Sequence, residues 1–336
     1  MRKKILYILL VPAALVVLVG LTALVQFKGG AVRAEYDLYV GSDSDYGQLA
    51  DSLMPHLRHR AAFRYYARRI GLASTFKPGH YTLSRGMNVI RIARMLKLGL
   101  QTPVRVTVNN VRTPAQLAQK LAPQLDADSA ALMEVFTSRK VAAELGFDSV
   151  TFFSMFIPDS YELYWTVSPQ EFVARMKREY DRFWTPERDR LRKRSGLSRL
   201  GVMTLASSVY EETRQSDEMT RVAGVYVNRL NKGILLQADP TVKYAMQDFG
   251  LKRILYKHLK YESPYNTYLH KGLPPSPICM PGKNAIDAVL NYEKHDYIFF
   301  CARPTFDGYH NFARTLDEHM KNARAYSEEL NRRNIK

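Results

Sequence analysis

The sequence predicts an α+β protein held to a membrane by one N-terminal helix. Three observations predict it. Residues Ile5 to Phe27 form an uncharged run rich in Leu and Val, directly behind the cluster Arg2-Lys3-Lys4. Most later segments carry apolar residues at helical spacing, interrupted by a few short alternating stretches, a mixture that fits α+β better than a parallel α/β sheet. Gly272–Gly282 (GLPPSPICMPG) is too proline-rich for a helix or a central strand and reads as an ordered loop.

The apolar run is long enough to span a ~30 Å hydrocarbon core, which takes roughly 20 residues. The basic cluster keeps residues 1–4 as a cytoplasmic tail, makes 5–27 the transmembrane anchor, and exports the rest. A cleaved signal peptide is the rival reading. Its apolar core normally runs about 7–15 residues to a small-x-small site, and Thr22-Ala23-Leu24 keeps that alternative open. No other segment is apolar enough to cross, so a single-pass protein of the cytoplasmic (inner) membrane is expected, with its N-terminus inside and two domains' worth of chain outside.

Two cysteines, Cys279 and Cys301, are too few for a disulfide scaffold, and the sequence leaves their pairing open. No Cys/His spacing reads as a zinc or haem site, so neither metal nor cofactor is expected. The net charge is +17. A basic chain is one sign of nucleic-acid binding, but an exported, tethered domain rarely meets nucleic acid. Anionic lipid head groups or an anionic wall polymer suit the charge better.

After the anchor, Tyr36–Val40 alternates as a strand, Tyr46–Leu57 and Ala61–Ile70 have helical spacing, and Pro78-Gly79 turns the chain into a second strand, His80–Leu83. This βααβ unit suits a polymer-binding module, or a spacer. Val89–Leu98 reads as a helix stopped at Gly99, Pro103–Val108 as a strand, and Thr113 caps a helix to Leu121. Asp126–Leu145 reads as helical. Ser168 caps Pro169–Trp184, with proline at the first position. Arg188–Arg199 reads as a solvated connector. Asp239 followed by Pro240 reads as another N-cap. Tyr297–Cys301 and Tyr309–Phe312 are strand-like, and Thr315 with Glu318 forms a capping box opening a final helix to about Asn331.

One carboxylate stands out. On a helix over Val202–Thr213, Val202, Leu205, Ala206 and Val209 make an apolar stripe. Glu211 falls on the opposite face, toward water. Glu212 lies at the edge of the stripe, where partial desolvation raises a carboxyl pKa and lets it donate a proton near neutrality. Asp217 and Glu218 follow in the first turn of a helix starting near Ser216, as charges favoured by the helix dipole. Met219, Val222, Ala223, Tyr226 and Leu230 read as its core face, and Asn228 and Arg229 lie near its end before Gly233. A hydrolytic glycosidase uses paired carboxylates, and no second glutamate is evidently placed. A single carboxylate needs a substrate that supplies its own nucleophile.

These residues carry a resemblance. Ala206-Ser207, Glu212-Thr213, Asn228-Arg229-Leu230, Leu236-Gln237, Asp239-Pro240-Thr241-Val242 and Tyr244, then Ser263–Tyr268 (SPYNTY) with Gly272–Pro275 (GLPP), His310-x-Phe312 and His319, resemble the endolytic murein transglycosylases, the MltG or YceG-like family of membrane-anchored cell-wall enzymes. Pro158–Tyr161 is similar to the family's entry motif, and Lys77–Tyr81 within residues 35–100 resembles its LysM-like module. The resemblance implies a catalytic transglycosylase domain over 101–336, with core motifs in 156–320. It implies non-hydrolytic cleavage of the MurNAc-GlcNAc β-1,4 bond in nascent peptidoglycan glycan strands, leaving 1,6-anhydroMurNAc ends. Glu212 is the implied general acid/base. Asn228, Arg229, Gln237, Asp239, Thr241, Tyr265, Asn266, Thr267 and His310 are the implied substrate-binding residues, and glycan-polymerising synthases the implied partners. Tyr210, Ala245 and Met280 depart from the family's pattern. The competing readings are a non-catalytic wall-binding scaffold that recruits synthases, and a hydrolytic muramidase.

Overall fold

The computed structural model describes residues 2–251 and 254–333, with side chains from Val11 onward. Met1 of the expected cytoplasmic tail lies outside the described residues. The chain forms two compact units. The first takes residues 1–106, 123–127 and 161–168, and the second takes 107–122, 128–160 and 169–336.

The first unit begins with α1 (Arg2–Lys28). Its stretch Val11–Lys28 is, among the described residues, the one helix long and apolar enough to cross a membrane. Strand β1 (Tyr36–Val40), α2 (Tyr46–Leu53), α3 (Arg60–Arg69), β2 (Gly79–Leu83) and α4 (Val89–Leu98) follow. β1 and β2 pair antiparallel, Tyr36 opposite Leu83 and Val40 opposite Gly79. Between the helices and this ribbon lies a core of Leu38, Leu53, Leu57, Phe63, Leu72, Tyr81, Leu83, Ile92 and Leu96. α2 is shorter than its periodicity predicts, because the chain tightens into a 3-10 turn at Met54–His56, where Pro55 cannot donate the next helical bond. α4 has the predicted bounds, and Gly99 closes it at φ +67°, a left-handed cap that glycine adopts without strain.

β3 (Val104–Val108) pairs with β4 (Asp159–Leu163). β4 falls where the sequence pattern shows only the start of a motif, since its DSYEL segment is too polar to read as a strand. The second unit holds α5 (Pro114–Leu121), α6 (Ser129–Phe136), α7 (Arg139–Glu144), α8 (Pro169–Phe183), α9 (Pro186–Ser195), α10 (Arg199–Glu212), α11 (Met219–Asn231), α12 (Asp239–Met246) and α13 (Lys283–Leu290). The hairpin β5 (Phe299–Ala302) and β6 (His310–Ala313) and the long α14 (Leu316–Arg332) complete it. The helical stretch expected over 126–145 holds two helices, α6 and α7, divided where Ser138 leaves helical geometry to cap α7 through Val141 N–H.

The Arg-rich connector is also a helix, α9. No residue in it is buried, so no apolar period marks it. It is held by its ends and its charges. Thr185 caps it, Gly196 closes it, Arg188 grips Asp287 of α13 through two bonds of 2.9 and 3.0 Å, and Asp189 binds Arg192 and Arg199. Thr185-Pro186 and Gly196 are the local cap residues that bound it. The Gly272–Gly282 segment is an ordered loop with Ile278, Cys279 and Met280 buried.

Candidate active site

α10 is the axis of the second unit. Ser198 caps it, its hydroxyl accepting from Gly201 N–H at 2.9 Å. Every residue from Gly201 to Val209 is buried, so the helix is wrapped on all sides and has no wet face. The one-stripe reading therefore misplaces Glu211. Its carboxylate meets Arg112 at 2.7 Å, and its Oε1 is buried without a hydrogen-bond partner. Arg112 lies ninety-nine positions away in the chain, which periodicity cannot see.

Glu212 ends the helix where the wrapping opens. Its Oε1 accepts a hydrogen bond from the Tyr226 hydroxyl at 2.8 Å. Burial pushes its carboxyl up to about 7, the Tyr226 bond pulls the other way, and the nearby charge of Asp239 adds to the rise. Tyr226, itself buried, reaches Glu212 from α11. That helix sits close to the Glu293–His295 strand-leading segment. A Cβ at Gly224 would lie 2.4 Å from the Glu293 carbonyl, so only glycine permits the approach.

A cavity of about 550 Å³ opens over Glu212. Its lining takes Arg229, Leu236, Gln237, Asp239 and Tyr268 together with Ile298, the residues of β5, His310 of β6, and Leu316, His319 and Met320 of α14. It contains more titratable groups than the sequence suggests. Asp239 accepts from the Tyr268 hydroxyl at 2.6 Å, and burial beside that carboxylate drives the phenol upward. His310 Nδ1 lies 2.8 Å from Glu218 Oε2, and His310 N–H donates to Glu218 Oε1 at 2.8 Å. Glu218 is buried. Burial alone would raise its carboxyl, but these bonds more than offset it and hold it below the usual range. It is thus an ionised partner for an imidazole, not a dipole charge in a first helical turn. α11 starts only at Met219, and Glu218 makes no side-chain cap bond there. His319 stacks on Phe299, centroids 5.0 Å apart, and burial pulls its pKa down.

Of the expected binding residues, Arg229, Gln237, Asp239 and His310 line the cavity with Glu212. Arg229 is occupied within the protein. Its guanidinium donates to the carbonyls of Ile298, Leu235 and Leu236 at 2.6, 2.9 and 2.8 Å and to Gln237 Oε1 at 3.0 Å. Gln237 holds φ +52°, a left-handed position at which the loop turns its side chain toward that guanidinium. Asn228 does not line the cavity. Its amide donates to the carbonyls of His295 and Tyr297 at 2.6 and 2.9 Å.

The SPYNTY loop is similarly self-absorbed. Asn266 donates to the Leu259 and Tyr261 carbonyls and accepts from Tyr268 N–H, which turns the Tyr268 ring toward Asp239. Thr267 Oγ1 accepts from Ala238 N–H at 3.0 Å and lies 2.8 Å from Thr241 Oγ1, both buried. Tyr265 bonds Ser276 at 2.6 Å. α12 begins at Asp239, so the N-cap position is Ala238, one residue before the expected Asp239. Ala238 makes no side-chain cap bond, and the Asp239 carboxylate accepts from Tyr268 instead of capping the helix. The residues that sequence reasoning missed are Tyr226 and Glu218. Helix position alone assigns Tyr226 to the core and Glu218 to a first helical turn, and only the fold shows what each faces. Cys279 is buried against α10 and Cys301 lines the cavity, and both are free thiols. No cluster of three or more His, Cys, Asp or Glu that could hold a metal occurs among the described residues.

The chain is similar to proteins of known name. An endolytic murein transglycosylase of Bacillus subtilis is 28% identical over 328 residues, covering 89% of this chain and 87% of that protein. A relative with the same name from Streptococcus pneumoniae is 25% identical and covers 79% of this chain, which spans 53% of that longer protein. A crystal structure of a YceG-like protein from Listeria monocytogenes aligns with a TM-score of 0.59 at 26% identity, covering 85% of this chain and 98% of that one. The sequence profile of the YceG-like family matches residues 38–325, and the chain belongs to that family.

Proposed function

We propose that the protein is a lytic transglycosylase acting on peptidoglycan, with Glu212 as its general acid and base. The observation that carries this reading is a carboxyl group held by Tyr226, raised to about 7, and lining an open cavity. Near neutral pH such a group is divided between acid and carboxylate, the condition for giving a proton and then taking one. Both named relatives are endolytic murein transglycosylases.

The reaction runs on groups of the chain and the substrate. Glu212 protonates the oxygen of the MurNAc-GlcNAc bond, and that C1–O bond breaks. The muramyl C6 hydroxyl oxygen closes on C1, and its proton passes to the Glu212 carboxylate, which restores the acid. The glycan ends as 1,6-anhydroMurNAc with no water consumed, and the nucleophile gains the advantage of being intramolecular. Gln237, Asp239 and His310 are the groups we assign to substrate contact. Arg229, Asn228, Thr241, Tyr265, Asn266 and Thr267 we assign to holding the cavity's walls, since their polar atoms are spent on the protein.

α1 serves in this reading as a membrane anchor with the folded units on the outer face, where nascent strands and their synthases are found. The βααβ arrangement of the first unit is assigned as a LysM-like wall-binding module. Residues 101–336 are assigned as the catalytic domain.

Asp239 supports a second reading. It shares the cavity with Glu212, and two carboxylates are the equipment of a hydrolytic glycosidase. One experiment separates the readings. The full chain in detergent, and its Glu212→Gln variant, are incubated with uncrosslinked glycan, and chain ends are identified by mass spectrometry. Anhydromuramyl ends from the unaltered protein alone support transglycosylation through Glu212. Reducing ends make it a hydrolase with Asp239 as the second group. Retained but uncleaved glycan leaves a binding scaffold.

A further inference from the structure

The first unit has a surface that the proposed reaction does not use. α4 buries Val89, Ile92, Ala93 and Leu96 in the core. Its other face, with the end of α1, lines a groove of about 900 Å³ whose walls include Lys28, Ile90, Arg91, Arg94, Leu98 and Leu100. Leu98 is 66% exposed and Leu100 59%. Tyr65 on the neighbouring α3 is 60% exposed and meets Phe27 of α1 edge-on, centroids 5.9 Å apart. Lys28, Arg91 and Arg94 take part in none of the ion pairs among the described residues.

The junction between α1 and this unit has almost no slack. Only Gly29 and Gly30 separate Lys28 from Ala31, and Ala31 and Val32 are buried. Both N–H groups donate to the Met87 carbonyl, at 2.9 and 3.2 Å, and the Ala31 carbonyl accepts from Arg58 N–H at 2.8 Å. Two extended residues span at most about 7 Å. If α1 is the anchor, as proposed above, the groove beside Lys28 is held at the level of the lipid head groups.

We propose that the outer face of α4, with Tyr65 and Lys28, docks on the membrane and binds anionic phospholipid head groups. Guanidinium groups match phosphate in geometry and charge. The exposed leucines enter the boundary between head groups and acyl chains, as apolar residues of interfacial helices do. An anionic wall polymer would satisfy the arginines but leave Leu98 and Leu100 in water. That apolar pair, continuous with the end of α1, commits the surface to lipid.

The test uses the full chain in vesicles of phosphatidylcholine with roughly one-third phosphatidylglycerol, the lipid carrying bromine high on its acyl chains. Leu98→Trp reports on the groove. Tyr256→Trp, at a 78% exposed position of the second unit, is the control. The signal of the native Trp165 and Trp184 is subtracted using the unaltered chain. The expected result is at least about twofold stronger quenching at position 98 than at 256, weakened both by neutral vesicles and by adding R91E/R94E. The neutral-vesicle arm leaves the arginines intact, so it does not depend on the variant's folding. Equal quenching at the two positions overturns the proposal, as does quenching at 98 that neither change weakens. Release of that quenching by soluble peptidoglycan fragments would assign the surface to the wall instead and also overturns it. Flotation after alkaline carbonate is read separately. A chain that is washed off loses the anchoring reading itself, whereas a retained chain without quenching loses only the docking surface.

Discussion

The hydroxyl of Tyr226 donates to Oε1 of Glu212 across 2.8 Å, joining the end of α10 to the middle of α11. The bond favours the carboxylate and holds the carboxyl's pKa below what burial alone would set. Tyr226→Phe should therefore move the falling limb of the pH–rate profile upward by up to about one unit, since the acid form then survives to higher pH. Loss of orientation should also lower kcat, by about tenfold. An unchanged profile would remove Tyr226 from the proton chemistry.

Adjacent carboxylates should behave differently. Glu212→Gln should reduce turnover by about 10²–10⁴-fold, whereas Glu211→Gln, which alters an ion pair with Arg112 away from the cavity, should keep most of it. Rates measured on the same glycan would separate the two.

Glu212 also predicts a pH-dependent stability. Its folded pKa lies above its ordinary value of 4.5, at about 7. The folded state therefore holds the proton more tightly, and the associated stability is full below 4.5 and is lost as pH rises through 7. Glu212→Gln should accordingly be stabilised relative to the unaltered chain at pH 8, by about 1–3 kcal/mol, with the difference vanishing toward pH 4.5. Denaturant titrations at both pH values check the sign.

The Glu218–His310 pair should couple in a double-mutant cycle. His310→Ala strands a buried carboxylate and should cost about 3 kcal/mol. Glu218→Gln removes the charge and should cost less, and the double variant should cost less than the sum. Because the Glu218 pKa is lowered, its share of stability is present above 4.5 and lost as pH falls through the lowered value.

Arg229→Lys should destabilise by about 2–4 kcal/mol, since an ammonium cannot serve three carbonyls and Gln237 from one position. Thermal unfolding checks it. A variant of unchanged stability but weakened substrate binding would return Arg229 to the ligand.

Local signals were legible wherever the chain states its own geometry. Thr315 and Glu318 form the capping box they predict, Gly99 ends α4, and β1 has the predicted bounds. What stayed hidden depends on distant partners. α9 has no apolar face and is held by charge, so periodicity passes over it. An amphipathic wheel assumes one buried side and so sends Glu211 to water, whereas α10 is buried on all sides. The edge of the apolar stripe marks Glu212 in the sequence, whereas Tyr226 reads only as core because it is both core and hydrogen-bond donor.

The wrapping of α10 has a kinetic consequence. A helix with nine successive buried residues exchanges its amide hydrogens only through rare, large openings. Two other elements that line the Glu212 cavity are different: β5 and α14 contain no buried residue. Glu212 thus sits at the end of this buried helix, in a cavity also lined by elements with no buried residue. Under the mechanism proposed above, a bound glycan meets its proton donor at the end of the buried helix, and accommodation of the strand falls to the hairpin and the C-terminal helix. Deuterium uptake should show this as slow exchange along 201–209 and faster exchange along 316–332.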